Sequence, residues 1–246
     1  MKKEPSQQEK RELTTRCFEE LRTDNSLQDI NNIINENQDR LDTNFSWVML
    51  NKHYKAWWMT SSPGILWVSG GPGKGKTQIA SILAEFHSGI PREDKNKTFI
   101  YFICNYRKDN QHSALAILRS LILQLLEQRP VLIPCVVRLS DAPGENRLRN
   151  LNMLWYIFQE MIKLLGGEIY CMITRLNECS PESQRFLVNM LKETTLFKQS
   201  RQKGILKLII TSTETKDLKD LSEHKFSDNP SCLQRLNLDS PDEEER

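Results

Sequence analysis

The run Gly70-Gly71-Pro72-Gly73-Lys74-Gly75-Lys76-Thr77 brings together the residue types that grip a polyphosphate. It satisfies the pattern G-x-x-x-x-G-K-[ST], and each position has a chemical reason. Glycines let the backbone curl until successive N–H groups face one point, and a following helix N-terminus adds partial positive charge there. Lys76 is placed to reach the β- and γ-phosphates, the Thr77 hydroxyl to take a position on Mg²⁺, and Gln78 to continue the cradle into the helix. A glycine-rich turn that binds nothing has no need of a lysine and a threonine at those two places.

Such a loop works only at a strand-to-helix junction. Ile65 to Val68 reads as a buried strand before it, and Ile79, Ile82, Leu83 and Phe86 follow at helical spacing. Three further short runs rich in β-branched or aromatic residues read as strands: Thr98 to Cys104, Ile169 to Ile173 and Leu206 to Thr211. Helical patterns separate them, in "SALAILRSLILQLLEQ", in "LNMLWYIFQEMIKLL", and in a segment capped by Ser180 and opened by Pro181. Strands alternating with helices predict an α/β fold, a mostly parallel sheet covered on both faces. Ligands in such sheets lie beyond the carboxyl ends of the strands, here just after Val68, Ile173 and Thr211.

Around this core the chain divides into a disordered N-terminus (1–12), a helical lead-in (13–60), the nucleotide-binding domain (61–238) and an acidic disordered tail (239–246). In the lead-in, Leu27, Ile30 and Ile34 recur at helical spacing behind a cap from Ser26 and Asp29. Trp47, Trp57 and Trp58 are its packing anchors. With 246 residues and 38% hydrophobic content, the chain can bury one sizeable core. No apolar run approaches a membrane span and the N-terminus has no secretory h-region, so a soluble cytoplasmic protein is expected. The six cysteines form no CxxC pair and read as buried thiols, and the four dispersed histidines exclude zinc hydrolysis. A net charge of +2 with interleaved signs gives no footprint for a nucleic acid or a membrane surface.

The blocks "CFEELRTDN", "FSWVML…YKAWW", "ILWVSGGPGKGKT", "YFICN…SALAILRSLILQLLEQ" and "IYCMITRLNECS", in this order and spacing, resemble the NACHT domains of fungal NLR-like proteins, within the STAND class of nucleotide switches. The resemblance runs from about Arg16 onward. It implies a P-loop NTPase fold, three layers α/β/α around a parallel sheet of about five strands. It also implies ATP or GTP (or the diphosphate) bound with Mg²⁺, and occupancy that governs assembly, so that a homo-oligomer or an NLR-like signalling partner is expected. In relatives the third strand ends in acids that serve Mg²⁺ and water, and the fourth in a sensor.

The chain departs from that pattern where catalysis would be set. Relatives show an aspartate, two spacers and an acidic pair; here Thr174 stands in place of the aspartate and Asn177 in place of the first acid, leaving Glu178 as the candidate catalytic residue. A threonine brings no charge to hold Mg²⁺ and an asparagine accepts no proton, so hydrolysis should fall by several powers of ten. Arg175 reads as a surface residue after a strand, or as a cation that neutralises phosphate in place of metal. After the fourth strand, Ser212-Thr213 replaces the Ser-Arg of relatives. The expectation is a nucleotide-binding switch domain with weak or absent hydrolysis. The alternatives are an active Mg-dependent NTPase using Glu178, a nucleotide-free interaction module, or a truncated NLR-like fragment. A small-molecule kinase is disfavoured, because no substrate lid is apparent.

Overall fold

The computed structural model describes residues 7–22, 47–89, 94, 96–140, 147–194, 204–224 and 232–240. Strands β1 (Gly64–Ser69), β2 (Lys97–Ile103), β3 (Gly167–Thr174), β4 (Gly204–Ser212) and β5 (Leu233–Asn237) form one sheet in the order β2-β3-β4-β1-β5. Every pairing is parallel. The helices are α1 (Gln7–Leu21), α2 (Trp47–Leu50), α3 (Lys52–Met59), α4 (Lys76–Ser88), α5 (Ala114–Gln128), α6 (Ile133–Ser140), α7 (Leu151–Leu164), α8 (Pro181–Glu193) and α9 (Lys216–Glu223).

The two-residue period of the strands sorts side chains into two cores. Ile65, Trp67, Ile100, Phe102, Cys171, Ile173, Leu208 and Ile210 face α1, α5, α7, α8 and α9. Leu66, Val68, Tyr101, Ile103, Tyr170, Met172 and Ile209 face α2, α3 and α4. The result is the expected three-layer α/β/α arrangement. Strands buried on both faces have no polar alternation to betray them, so they read as near-continuous apolar runs. The helix starts follow the same local chemistry: Ser113, Asn150 and Ser180 accept backbone N–H bonds as caps of α5, α7 and α8, with Pro181 opening α8.

Two readings of the chain's organisation change. Helix α1 begins at Gln7, inside the stretch read as disordered, and packs on α5 and α6 rather than continuing into α2 and α3. Its Cys17 and Leu21 belong to the main core, which gives a reason for the helix to be ordered. Asp239, assigned to a disordered tail, is instead hydrogen-bonded to the glycine-rich loop. The helix read over Leu27–Ile34 and residues 241–246 of the tail lie outside the described residues. All six cysteines are free and buried. Among the described residues no single helix is long and apolar enough to cross a membrane.

The strand order fixes where chemistry can occur. Because β4 lies between β1 and β3, the loop after β1 faces the carboxyl ends of both: Ser69 is level with Ser212, and Ile173 with Ile210.

Candidate nucleotide site

Strand β1 releases the chain at Gly70, and the loop turns twice through left-handed backbone, at Gly73 (φ 75°) and Gly75 (φ 84°). Only glycine adopts that region without steric cost. Helix α4 then starts at Lys76, directly after Gly75, and the Ile79 N–H closes its first turn on the Gly75 carbonyl at 3.0 Å. Lys76, Thr77 and Gln78 are half-buried in that turn, while Pro72, Gly73 and Lys74 are exposed. A helix N-terminus leaves unsatisfied N–H groups, the donor set that an anion takes. The Lys76 ammonium donates to the Gly70 and Gly71 carbonyls at 2.7 and 2.6 Å, which holds it over the loop. Burial lowers its pKa, opposed by the nearby Asp239 carboxylate. That carboxylate also accepts the Gly71 N–H on both oxygens, at 3.0 and 2.9 Å.

Beside the loop lies a small cleft lined by Thr77, Ala80, Ile103, Met172, Thr174, Arg175 and Thr211. Thr174 is only 4% exposed, and its hydroxyl has no hydrogen-bond partner among the described residues. Arg175 adopts the left-handed conformation (φ 55°, ψ 41°), alone among the described non-glycine residues. Its N–H donates to the Thr211 hydroxyl at 3.1 Å and its carbonyl accepts the Glu178 N–H at 2.8 Å. This turn sends Leu176 into the core, at 1% exposure.

The remaining predicted site residues serve structural bonds. The Asn177 side-chain oxygen accepts the Thr213 N–H at 2.9 Å, tying the end of β3 to the end of β4. Ser212 is fully buried and accepts the Trp67 indole N–H at 2.8 Å. Glu178 does not line the cleft; its carboxylate accepts the Tyr106 N–H at 3.4 Å, on the loop between β2 and α5. The structure therefore brings Thr77, Thr174 and Arg175 together with the loop and sets Glu178 apart. Sequence reasoning located the site at the strand end marked by Thr211 without giving that side chain a role, and missed Asp239 and Arg235. Arg235 lies over the Trp67 ring at 4.3 Å, donates to the Ser69 hydroxyl at 2.9 Å and pairs with Glu214.

A family model described as "Nephrocystin 3, N-terminal" matches residues 43–213, well over half of the chain and all of the loop and cleft. The chain belongs to this family. The chain is also 28% identical over 176 residues to the vegetative incompatibility protein HET-E-1 of Podospora anserina; the match covers 70% of the chain and 13% of that protein. Together the two matches support the NACHT-like reading. Solved structures match more distantly. Cdc6p of Pyrobaculum aerophilum is 12% identical with a TM-score of 0.43 over 81% of this chain and 44% of its own. The ADP form of the Aeropyrum pernix ORC2 protein is 10% identical with a TM-score of 0.38 over 82% and 47%. The chain thus spans less than half the length of each of these proteins.

The loop carries the parts that fit a polyphosphate: a backbone curled at Gly73 and Gly75, the N-terminus of α4, and the Lys76 ammonium held over the loop. The donor set for a divalent cation does not match. Mg²⁺ is held by carboxylates among oxygen ligands, yet the cleft offers only the Thr77, Thr174 and Thr211 hydroxyls. Among the described residues no group of three His, Cys, Asp or Glu could hold a metal. The neighbouring thiols add none. Cys179 donates to Cys104 at 3.2 Å, and burial pushes the Cys104 thiol well up, which keeps it protonated.

Proposed function

We propose that this chain is a nucleotide-holding switch domain, which binds a purine nucleoside tri- or diphosphate, ATP or GTP, on Gly70 to Thr77 and hydrolyses it slowly or not at all. The observation that carries the reading is the loop itself, two left-handed glycines delivering Lys76 and Thr77 into the first turn of α4 beside a small cleft. Slow turnover follows from what occupies the catalytic positions. Thr174 is uncharged, Asn177 is engaged with Thr213, and Glu178 is turned to Tyr106. Positioned charge supplies most of phosphoryl-transfer catalysis, and little of it is available here. By the NACHT resemblance, occupancy would act by changing assembly with further copies or a signalling partner inside the cell.

Thermal unfolding with ATP, ADP, GTP and GDP tests binding. A ligand bound to the folded state must raise the midpoint, and Lys76→Ala must abolish the rise. Turnover at an ordinary rate of about 1 per second would refute the slow-hydrolysis half of the proposal. If turnover is measured, Glu178→Gln decides whether the one acid retained at the end of β3 polarises the water, since binding should then persist while turnover is lost.

A further inference from the structure

We propose that Arg175 supplies the counter-charge for the bound polyphosphate, so that the site takes its nucleotide without a divalent cation. This rests on the nucleotide reading and deepens it. Three observations converge on the same cleft. It is lined by no carboxylate, and the Asp239 carboxylate at the loop is bonded to the Gly71 N–H, so a cation entering the cleft with the phosphates would find only the Thr77, Thr174 and Thr211 hydroxyls there. Arg175 lines the cleft beside Thr77, and no carboxylate among the described residues forms an ion pair with it. Thr174 presents a hydroxyl that is 4% exposed and unpartnered, a buried polar group whose missing bond a phosphate oxygen can complete.

The backbone explains how a cation comes to stand there. A left-handed arginine costs on the order of 1–2 kcal/mol, and the Thr211 hydroxyl and the Glu178 N–H hold that conformation on both sides of the residue. A side chain directed to solvent from ordinary backbone would need neither bond. Arginine is also well matched to a phosphate, because its planar fork of donors fits phosphate geometry and stays charged at every working pH. An uncharged threonine at position 174 puts no carboxylate next to Arg175 in the chain to compete with a phosphate for it.

The test is titration of the full chain with ATP, ADP, GTP and GDP, in EDTA and in excess Mg²⁺. The wild-type protein is expected to bind its preferred nucleotide in EDTA within about threefold of its affinity in Mg²⁺. Arg175→Ala should lose on the order of tenfold or more in EDTA, as the loss of a charge-assisted hydrogen bond implies, and Arg175→Lys should recover part of it. Thr174→Asp combined with Arg175→Ala should bind in Mg²⁺ and fail in EDTA. If Arg175→Ala does not fold, Arg175→Asn, which tolerates the left-handed turn, replaces it. Wild-type binding only in Mg²⁺, or equal affinities of wild type and Arg175→Ala in EDTA, overturns the inference and leaves the nucleotide reading standing. Absence of binding in both buffers overturns that reading and the inference with it.

Discussion

Lys207 carries a charge into the interior, and the cost is measurable. It lies on β4, fully buried, and its ammonium donates to the Trp57 carbonyl at 2.7 Å and to the Thr60 carbonyl and hydroxyl at 2.5 and 3.0 Å. It thus closes the C-terminal end of α3. The Trp57 ring stands 5.7 Å away, and Glu168 and Cys232 are the ionisable groups that face it. Burial lowers its pKa from 10.5 to about 8, opposed chiefly by the Glu168 charge. Burial pushes the Cys232 thiol up to about 12, so it stays neutral below that pH. The unfolded chain therefore holds the Lys207 proton up to about pH 10.5, while the folded protein releases it near pH 8. Stability rises with pH across that window and is lost again as pH falls back through 8. The whole difference is worth about 3 kcal/mol, and about 2 kcal/mol of it should appear between pH 7 and pH 9.5. Lys207→Met removes the titration but strands two backbone carbonyls, at about 1–3 kcal/mol each. Urea unfolding of both proteins, followed by tryptophan fluorescence, separates the two effects. The wild type should gain about 2 kcal/mol on the variant over that interval. Parallel pH dependence in the two proteins would refute the argument.

His87 is also fully buried, neither ring nitrogen has a partner among the described residues, and burial with the nearby Lys97 charge lowers its pKa from 6.5 to about 3. The fold must exclude its proton, so stability falls as pH drops from about 6.5 toward 3. His87→Phe should move the acid-unfolding midpoint down by about half a pH unit or more, and superimposable acid curves would show the ring to be irrelevant. Asp239→Asn removes a negative charge from the Gly71 N–H and from the vicinity of Lys76. Nucleotide affinity at low salt should rise about two- to fivefold and the gain should shrink at high salt, whereas weaker binding would mean that the carboxylate organises the loop. Gly75→Ala forces a side chain into φ 84° and should cost about 1 kcal/mol or more of stability. Gly166→Ala, where an added Cβ meets nothing within 4 Å, is the control; equal effects at the two positions would contradict the backbone account.

The sheet and the loop were legible because their signals are local. Four strands buried on both faces could only be apolar runs, and the loop's glycines, lysine and threonine are contiguous. Strand β5 escaped because "LQRLN" at the sheet edge is mostly half-buried and carries polar residues in an irregular pattern. The start of helix α1, residues 7–12, escaped for a different reason: Gln7, Gln8, Glu9, Arg11 and Glu12 are polar and exposed, and docking of Cys17 and Leu21 farther along onto distant helices holds the helix. At the site, the deviant residues Thr174, Asn177 and Thr213 could be found by comparison with the family pattern, but not their partners. Asn177 to Thr213 spans 36 residues and Gly71 to Asp239 spans 168, and spacing along the chain carries no trace of such pairs.

The substitutions at the ends of β3 and β4 leave the fold intact because its energy lies elsewhere. The strands hold one another through an unbroken parallel register, in which Thr174 pairs with Ile103 through its backbone alone, and through two apolar cores that include none of positions 174, 177 and 213. A carboxylate at 174 would have to be buried at 4% exposure, a heavy cost unless a cation meets it. A threonine there removes that cost and leaves only an unpaired hydroxyl. An asparagine at 177 can then accept the Thr213 N–H, and Ser212 can serve the Trp67 indole, so groups that would wait for substrate are tied down in the free protein. On the proposed reading, preorganisation for cleavage would be exchanged for rigidity at the strand ends, while the loop, built from backbone and one lysine, would be unaffected. Such a site would keep the means to hold a polyanion and give up the means to cut it.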